Sequence, residues 1–367
     1  MSARISRQSG LTITELLISM VLGMFLISGL LSVFLGGLTT FRTNDALARI
    51  QESGRFAMEL MRRDLRQAGY FGCRQSLEPE VPRSDATLTP GFIRNTLNPP
   101  PSVGSDALQW EYTLEVGLEG FSAASTSGGS GWSPAIPTNT LIAAALDDSD
   151  IVATSSAQGT GITVTAHPGG NPPGSADVQL NASNGLEQFD VIMVTDCTSG
   201  AIMQVTSANP DTSGSVAHNT GVGAPGNYTK ALGRSFTGAD LFRISKSAWY
   251  VAPSALTGRP ALFRNGDEMV ENVERLRVFY GVDADDDRRI DSYVRAGTAP
   301  LEGSAATDDD WEDVIAVRFH LLINSGEEDG VTENPVSVPF AGGTFTAGDR
   351  RIYQEFTATV GVRNRLP

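Results

Sequence analysis

Apolar and polar positions divide the first seventy residues into two regimes. From Leu16 to Leu38 no residue is charged. A run of that length spans a hydrocarbon core of roughly 30 Å as a helix. From Phe41 to Ala68 there is no proline, and the pattern becomes one-sided. Leu47, Ile50, Ala57, Met58, Met61, Leu65 and Ala68 recur at helical spacing, with Gly54 on the same stripe. Arg42, Arg49, Arg55, Arg62, Arg63 and Arg66 are interleaved and read as a solvated face. One helix is expected from about Thr12 to Ala68, roughly 85 Å long at 1.5 Å per residue. Gly69 is its expected stop. Gly23, Gly29, Gly36 and Gly37 either weaken its first half or let other helices approach closely.

Past the helix the pattern is less regular. Arg74 to Pro101 is proline-rich. Asp106–Val116 reads as a strand. Phe121 to Gly185 is rich in small residues, with apolar bursts at Thr140–Leu146 and Ile162–Ala166, and reads as a loop-rich insertion with a few short strands, not a linker. The second half is better patterned. Phe189–Thr195 and Ile202–Thr206 predict a hairpin; Leu241–Val251, Ala261–Arg264, Leu276–Val282, Val314–Ile323 and Ile352–Val362 predict further strands. Met269–Glu274 reads as a short helix or turn. A long helix followed by runs of strands is an α+β arrangement, with the helix covering one face of an antiparallel sheet. The expected division is 1–10 a leader, 11–38 the transmembrane half-helix, 39–69 the amphipathic half, and 70–367 a β-rich globular domain that holds the insertion at about 121–185.

The leader sharpens this picture. Residues 1–10 carry Arg4 and Arg7 and no acid. A secretory signal is cut after its apolar region, which is then lost. Here the small residue, Gly10, precedes the apolar run, so a cut after it removes only the basic leader and leaves Leu11 as the new N-terminus. The arginines hold the leader in the cytoplasm and send the globular part outward. Glu15 is the odd residue, because a carboxylate on a membrane helix costs roughly 3 kcal/mol near the bilayer centre and less near its edge. Position 15 also lies near the positive end of the helix dipole. It is read either as an interfacial acid or as a partner for the new amine of Leu11 on a neighbouring copy.

The net charge of −15 argues against nucleic acid, whose phosphates want a basic patch. The two cysteines, Cys73 and Cys197, both fall on the outer side, where disulfides persist. An even count there favours a pair. His167, His218 and His320 are scattered, with no zinc spacing and no cysteine near them. No nucleophile elbow, P-loop or dinucleotide fingerprint occurs. The chain is expected not to be an enzyme.

Gly10, the apolar residue after it, and Glu15 five residues past the cut resemble the type IV prepilin signal. Leu11 stands where phenylalanine or methionine is usual. The resemblance implies cleavage and N-methylation at Leu11 by a prepilin peptidase, and a contact between Glu15 and the N-terminal amine of an adjacent subunit. RRDLRQAGYFGC (Arg62–Cys73), FDVIMVTDC (Phe189–Cys197), VENVERLRVFYGVDADDD (Val270–Asp287), DVIAVRFHLLI (Asp313–Ile323) and FTATVGVRNRLP (Phe356–Pro367) resemble the PilW family of minor pilins. The stretch from about Arg74 to Gly185 is not covered. The family implies a role in priming pilus assembly, in a tip complex with other minor pilins and the major pilin, with a tip adhesin as a further partner. It implies an inner-membrane protein with a periplasmic C-terminal domain, and service, through the pilus, in twitching motility and cell adhesion. A pseudopilin of a type II secretion system shares the leader and helix. A membrane-anchored periplasmic enzyme or binding domain that keeps its N-terminus is the alternative from another class.

Asp283, Asp285, Asp287 and Asp291 fall at positions 1, 3, 5 and 9 of a calcium-loop pattern, which aims several oxygens at a hard cation. Position 6 wants glycine and holds Arg288; position 12 wants a bidentate glutamate and holds Val294. The loop therefore reads either as a solvated acidic turn or as a weak Ca2+ site. Asp308-Asp-Asp310-Trp-Glu-Asp313 is a second acidic run that opens a strand and reads as a turn.

Overall fold

In a computed structural model, the described residues are 12–72, 78–79, 87–97, 107–123, 131–136, 141–170, 172–303, 309–326 and 332–363. Gly10, Leu11 and Cys73 lie outside them.

A single helix, α1, runs Ile13–Gln67. Ser19, Thr39, Thr40 and Thr43 turn their hydroxyls back onto carbonyls of the preceding turn. Their polar groups are thus satisfied within the helix, as an apolar solvent requires. Among the described residues nothing packs against the apolar stretch up to Leu38: Phe25, Leu26, Leu30 and Val33 are all more than two-thirds exposed. Beyond it one stripe is buried, made of Ala46, Ile50, Gly54, Ala57, Met58, Met61, Asp64 and Leu65. The interleaved arginines lie mostly on the exposed face. The helix ends at Gly69, whose φ of +68° only glycine adopts without strain. Its N–H donates to the Ser155 carbonyl at 2.9 Å, which delivers the chain onto a sheet.

The strands used below are β1 (Phe92–Asn95), β2 (Leu118–Ala123), β3 (Ile151–Thr163), β4 (Val191–Thr195), β5 (Gly200–Gln204), β6 (Asp240–Pro253), β7 (Pro260–Arg264), β8 (Asp267–Glu271), β9 (Val273–Val282), β10 (Ser292–Val294), β11 (Val314–Asn324), β12 (Ser337–Phe340), β13 (Gly343–Thr346) and β14 (Tyr353–Gly361). The larger sheet runs β1-β5-β4-β6-β3-β2, and the β7–β8 hairpin continues from β6. All these pairings are antiparallel except β1 with β5. The smaller sheet is β10-β9-β11-β14, antiparallel throughout. The buried stripe of α1 packs on β14, β11, β3 and β8. It shares one core with Leu276, Val278, Phe319, Leu321, Ala358 and Val360 of the smaller sheet and with Trp249 of β6.

The fold is α+β, as the helix-then-strands order predicts. Three local expectations fail. The stretch expected to be a loop-rich insertion at about 121–185 supplies β3, a thirteen-residue strand at the centre of the larger sheet, paired with β6 over nearly its whole length. Its Thr, Ser, Ala and Gly residues show little apolar periodicity, yet Ile151 to Ser155 are buried: Val152 lies in the core under α1, and Ile151 and Ala153 on the other face pack with Trp110, Phe121 and Ile142. The strand expected at Asp106–Val116 is instead a 3₁₀ helix at Ala107–Tyr112 followed by a turn. Buried Lys246 explains the turn: its ammonium takes the Trp110 carbonyl at 3.0 Å and the Thr113 hydroxyl at 2.7 Å, and an extended chain cannot aim both at one point. Met269–Glu274, expected as helix or turn, contributes to β8 and β9, with Asn272 at φ +61° between them.

Candidate functional site

The N-terminus of α1 is built around Glu15. Thr12 is the N-cap; its hydroxyl accepts from Glu15 N–H, and the Glu15 carboxylate accepts from Thr12 N–H at 3.0 Å. This reciprocal capping box satisfies two of the helix's unpaired donors. The signal Thr-x-x-Glu was present in the sequence, but Glu15 was weighed there only as an interfacial acid or an intermolecular partner. Its carboxylate is thus held at the helix end without any second subunit, fully exposed and aimed at the preceding chain.

The helix is fixed to the sheets by a contact that sequence reading missed. Asp64, on the apolar stripe, is buried and accepts from the Trp249 indole Nε1 at 3.0 Å; the Arg264 guanidinium stands 2.9 Å from the same oxygen. An acid inside an apolar stripe, about one helical turn after Met61 and next to Leu65, was the available signal. A second buried set joins Lys246, Glu119 and Trp110: Trp110 Nε1 donates to Glu119 at 2.6 Å, and Lys246 lies 4.2 Å above the Trp110 ring and 3.4 Å from Glu119. Burial pulls the Lys246 ammonium down and pushes the neighbouring Glu115 carboxyl up, and Glu119 partly restores the lysine.

The acidic loop closes between β9 and β10. Asp283, Asp285 and Asp287 bring ligand oxygens within 4.8 Å of one another. Asp291 does not join them; its carboxylate accepts from Ala284 N–H at 2.8 Å and closes the loop instead. Asp283 accepts from the N–H groups of Asp287 and Arg288, so the turn is held by its own first acid. Arg288 adopts φ +68°, the conformation for which the pattern wants glycine. Val294, at the twelfth position, is held in β10 opposite Tyr280. Three carboxylates therefore converge, and the fourth sequence-predicted ligand and the twelfth position do not.

The histidines that look scattered are not all apart. His167 and His218 lie side by side, ring centroids 6.3 Å apart. His167 Nδ1 accepts from Phe236 N–H at 3.2 Å, and His218 Nε2 donates to the Lys230 carbonyl at 3.1 Å. Burial drives the His218 pKa down to about 4 and lowers His167 as well, against the opposing pull of Asp177. Both rings are neutral at pH 7. His320 pairs with Glu355 at 2.7 Å on β11.

These features define an α+β protein with an uncovered apolar half-helix, an amphipathic half packed on antiparallel sheets, and an acid at the helix N-terminus. Residues 247–364, β6 to the end of the described chain, match the family model described as Type IV Pilus-assembly protein W. The C-terminal third is therefore type IV pilus-related sequence. Among solved structures, the chain is similar to a type IV-like pilin from Thermus thermophilus, at 15% identity over 50% of this chain and 86% of that one, with a TM-score of 0.16. No curated protein matches the chain. The family suggests a structural rather than catalytic protein, associated with pilus components, and α1 is a candidate membrane anchor.

Proposed function

We propose that the protein is a minor pilin of a type IV pilus that helps to prime assembly, in a tip complex with other minor pilins. The single observation that carries this is the divided helix: α1 leaves its apolar half wholly uncovered while its second half is buried by the sheets. A half-helix of that kind needs lipid before assembly and other helices after it. The leader would be cut between Gly10 and Leu11 by a prepilin peptidase and Leu11 N-methylated, and Glu15 would meet the freed amine of a neighbouring subunit. The domain would lie in the periplasm, as the arginines of the leader direct.

Within the same reading, Cys73 and Cys197 form a disulfide that ties the helix end to the larger sheet. Support comes from Gly72, which abuts the Phe242 ring, and from Phe242 pairing with Met193, four residues before Cys197. Asp283, Asp285 and Asp287 are assigned as a weak calcium site. No residue is given a catalytic role.

The test is to read the N-terminal peptide by mass spectrometry in sheared filaments and in membranes. Methylated Leu11 as the first residue, in the filament fraction, is the expected result. A chain that keeps its leader and stays in the membrane of cells with active prepilin peptidase would overturn the proposal. A processed chain found with secretion pseudopilins instead would move it to a type II secretion system.

A further inference from the structure

The chain between β5 and β6 covers a second core on the larger sheet, in which Leu232 and Phe236 pack with Val178, Val194, Val216 and Leu241. Two buried histidines hold the stretch from Lys230 to Phe236 in place, one at each end. His218 follows the short ribbon of Asp177–Gln179 with Ser215–Ala217, and its Nε2 donates to the Lys230 carbonyl at 3.1 Å. His167 follows β3, and its Nδ1 accepts from Phe236 N–H at 3.2 Å, with its ring stacked on that of Phe236. The His167 N–H donates to the Thr237 hydroxyl, so side chain and backbone of one residue clasp the same turn.

The two bonds ask opposite things of the rings. A neutral imidazole has one donor and one acceptor nitrogen. His218 gives its N–H to Lys230, which leaves Nδ1 bare. His167 accepts at Nδ1, which places its own N–H on Nε2. Both remaining nitrogens are buried, and neither has a hydrogen-bond partner among the described residues. A proton added to His167 can only go to Nδ1, where it turns the acceptor for Phe236 N–H into a second donor. Two N–H groups then point at each other in a buried place, where an unmade hydrogen bond costs most. A proton added to His218 leaves the Lys230 bond intact but charges a ring that has no solvent contact.

The charges around the pair do not offset this. Asp177, on the ribbon, favours the protonated form of both rings, and the Lys230 and Val216 carbonyls favour that of His218. Burial acts the other way and is the largest influence on each ring. The rings lie 6.3 Å apart, and a charge on His167 opposes one on His218. Asp177 is itself engaged by the Ser215 hydroxyl. Arg234, in the clasped stretch, lies 6.0 Å from the Phe236 ring centroid and is paired with Asp196 at 2.8 Å; Lys230 is exposed.

We infer that His167 and His218 form an acid-released latch: protonation of the pair frees the stretch from Lys230 to Phe236 and uncovers the core beneath it. The inference does not depend on a role in pilus assembly.

The experiment is amide hydrogen exchange, read by mass spectrometry on the detergent-solubilised full chain at about pH 7 and about pH 5, with labelling times scaled for the intrinsic effect of pH on exchange. A ring that titrates at 6.5 once released, and takes no proton while clasped, raises opening by up to about 25-fold between these two conditions. Protection of peptides covering 228–237 should therefore fall about fivefold or more in acid, while peptides from β9, β11 and β14 keep theirs. The double variant His167→Asn/His218→Gln keeps an acceptor towards Phe236 N–H and a donor towards the Lys230 carbonyl but carries no titrating ring. Its 228–237 peptides should change by less than about twofold. No local change in the parent, a change spread evenly over the chain, or a double variant that responds as the parent does would overturn the latch. If the double variant does not fold, the parent's profile decides alone: loss confined to 228–237 and the ribbon supports the latch, and any other pattern sinks it.

Discussion

The ring of Phe356, on β14, fills the space over Gly54, on α1, so closely that a Cβ at position 54 would overlap it. Phe356 also sits opposite Leu321 in the sheet register. The glycine on the apolar stripe is therefore a socket that seats the helix on the smaller sheet. An alanine there gains up to about 1 kcal/mol of helix propensity. Overpacking costs about 1–3 kcal/mol and outweighs that gain, because the neighbour is a large ring wedged between two elements. Gly54→Ala should lower the thermal midpoint of the solubilised protein, and adding Phe356→Leu should recover part of the loss. A Gly54→Ala protein at least as stable as the parent would show that the ring moves aside freely.

Asp64 ties the same helix to β6 and β7 through Trp249 and Arg264. Asp64→Ala removes a charge-assisted hydrogen bond and should cost roughly 2–3 kcal/mol. Asp64→Asn keeps an acceptor for the indole and should cost less. Urea unfolding of the two variants ranks them; equal losses would mean that charge, not the indole bond, holds the joint.

The buried His167–His218 pair gives an acid sensitivity. His218 is held near pKa 4 when folded against 6.5 for a free imidazole, so the unfolded chain binds the proton more readily. Stability from this group is complete above about pH 6.5 and is lost as pH falls towards 4, by roughly 3 kcal/mol in total. His167 shifts in the same direction. The stability of His218→Gln should fall less than the parent's between pH 7 and pH 4, so the difference between the two changes with pH while the titration of the carboxylates cancels. Parallel curves would place a proton on the folded His218.

The capping box of Glu15 and its proposed contact with a neighbour's amine are roles that mutation can separate. The capping box predicts that Glu15→Gln, which can still accept from Thr12 N–H, keeps the helix end, while losing the box altogether costs about 1 kcal/mol. The contact with a neighbour's amine needs the charge. Glu15→Gln and Glu15→Ala should therefore both impair incorporation into filaments while sparing cleavage. Incorporation of Glu15→Gln at the parental level would leave Glu15 as a local cap.

At the acidic loop, calcium should bind weakly, at a dissociation constant on the order of 10⁻⁴ M or poorer, because only three carboxylates converge and the twelfth ligand is absent. Titration followed by calorimetry reads this directly. Asp285→Asn should abolish binding, since Asp285 carries less of the loop's own hydrogen bonding than Asp283. Micromolar affinity would mean that ligands from outside the loop complete the site.

The sequence determined the helix, its division into bare and packed halves, and the strands β9, β11 and β14, because long apolar runs and clean periodicity are local signals. The convergence of Asp283, Asp285 and Asp287 was legible too, because one turn brings them together. Only the tertiary structure decided that the small-residue stretch around Ile151–Thr163 is the centre of a sheet, since what buries it is α1 on one face and Trp110 and Phe121 on the other, remote in sequence. It also decided that Asp64 meets Trp249 and that His167 meets His218. Each of these joins residues whose spacing along the chain carries no period, and their energy depends on desolvation that exists only once the sheets have closed.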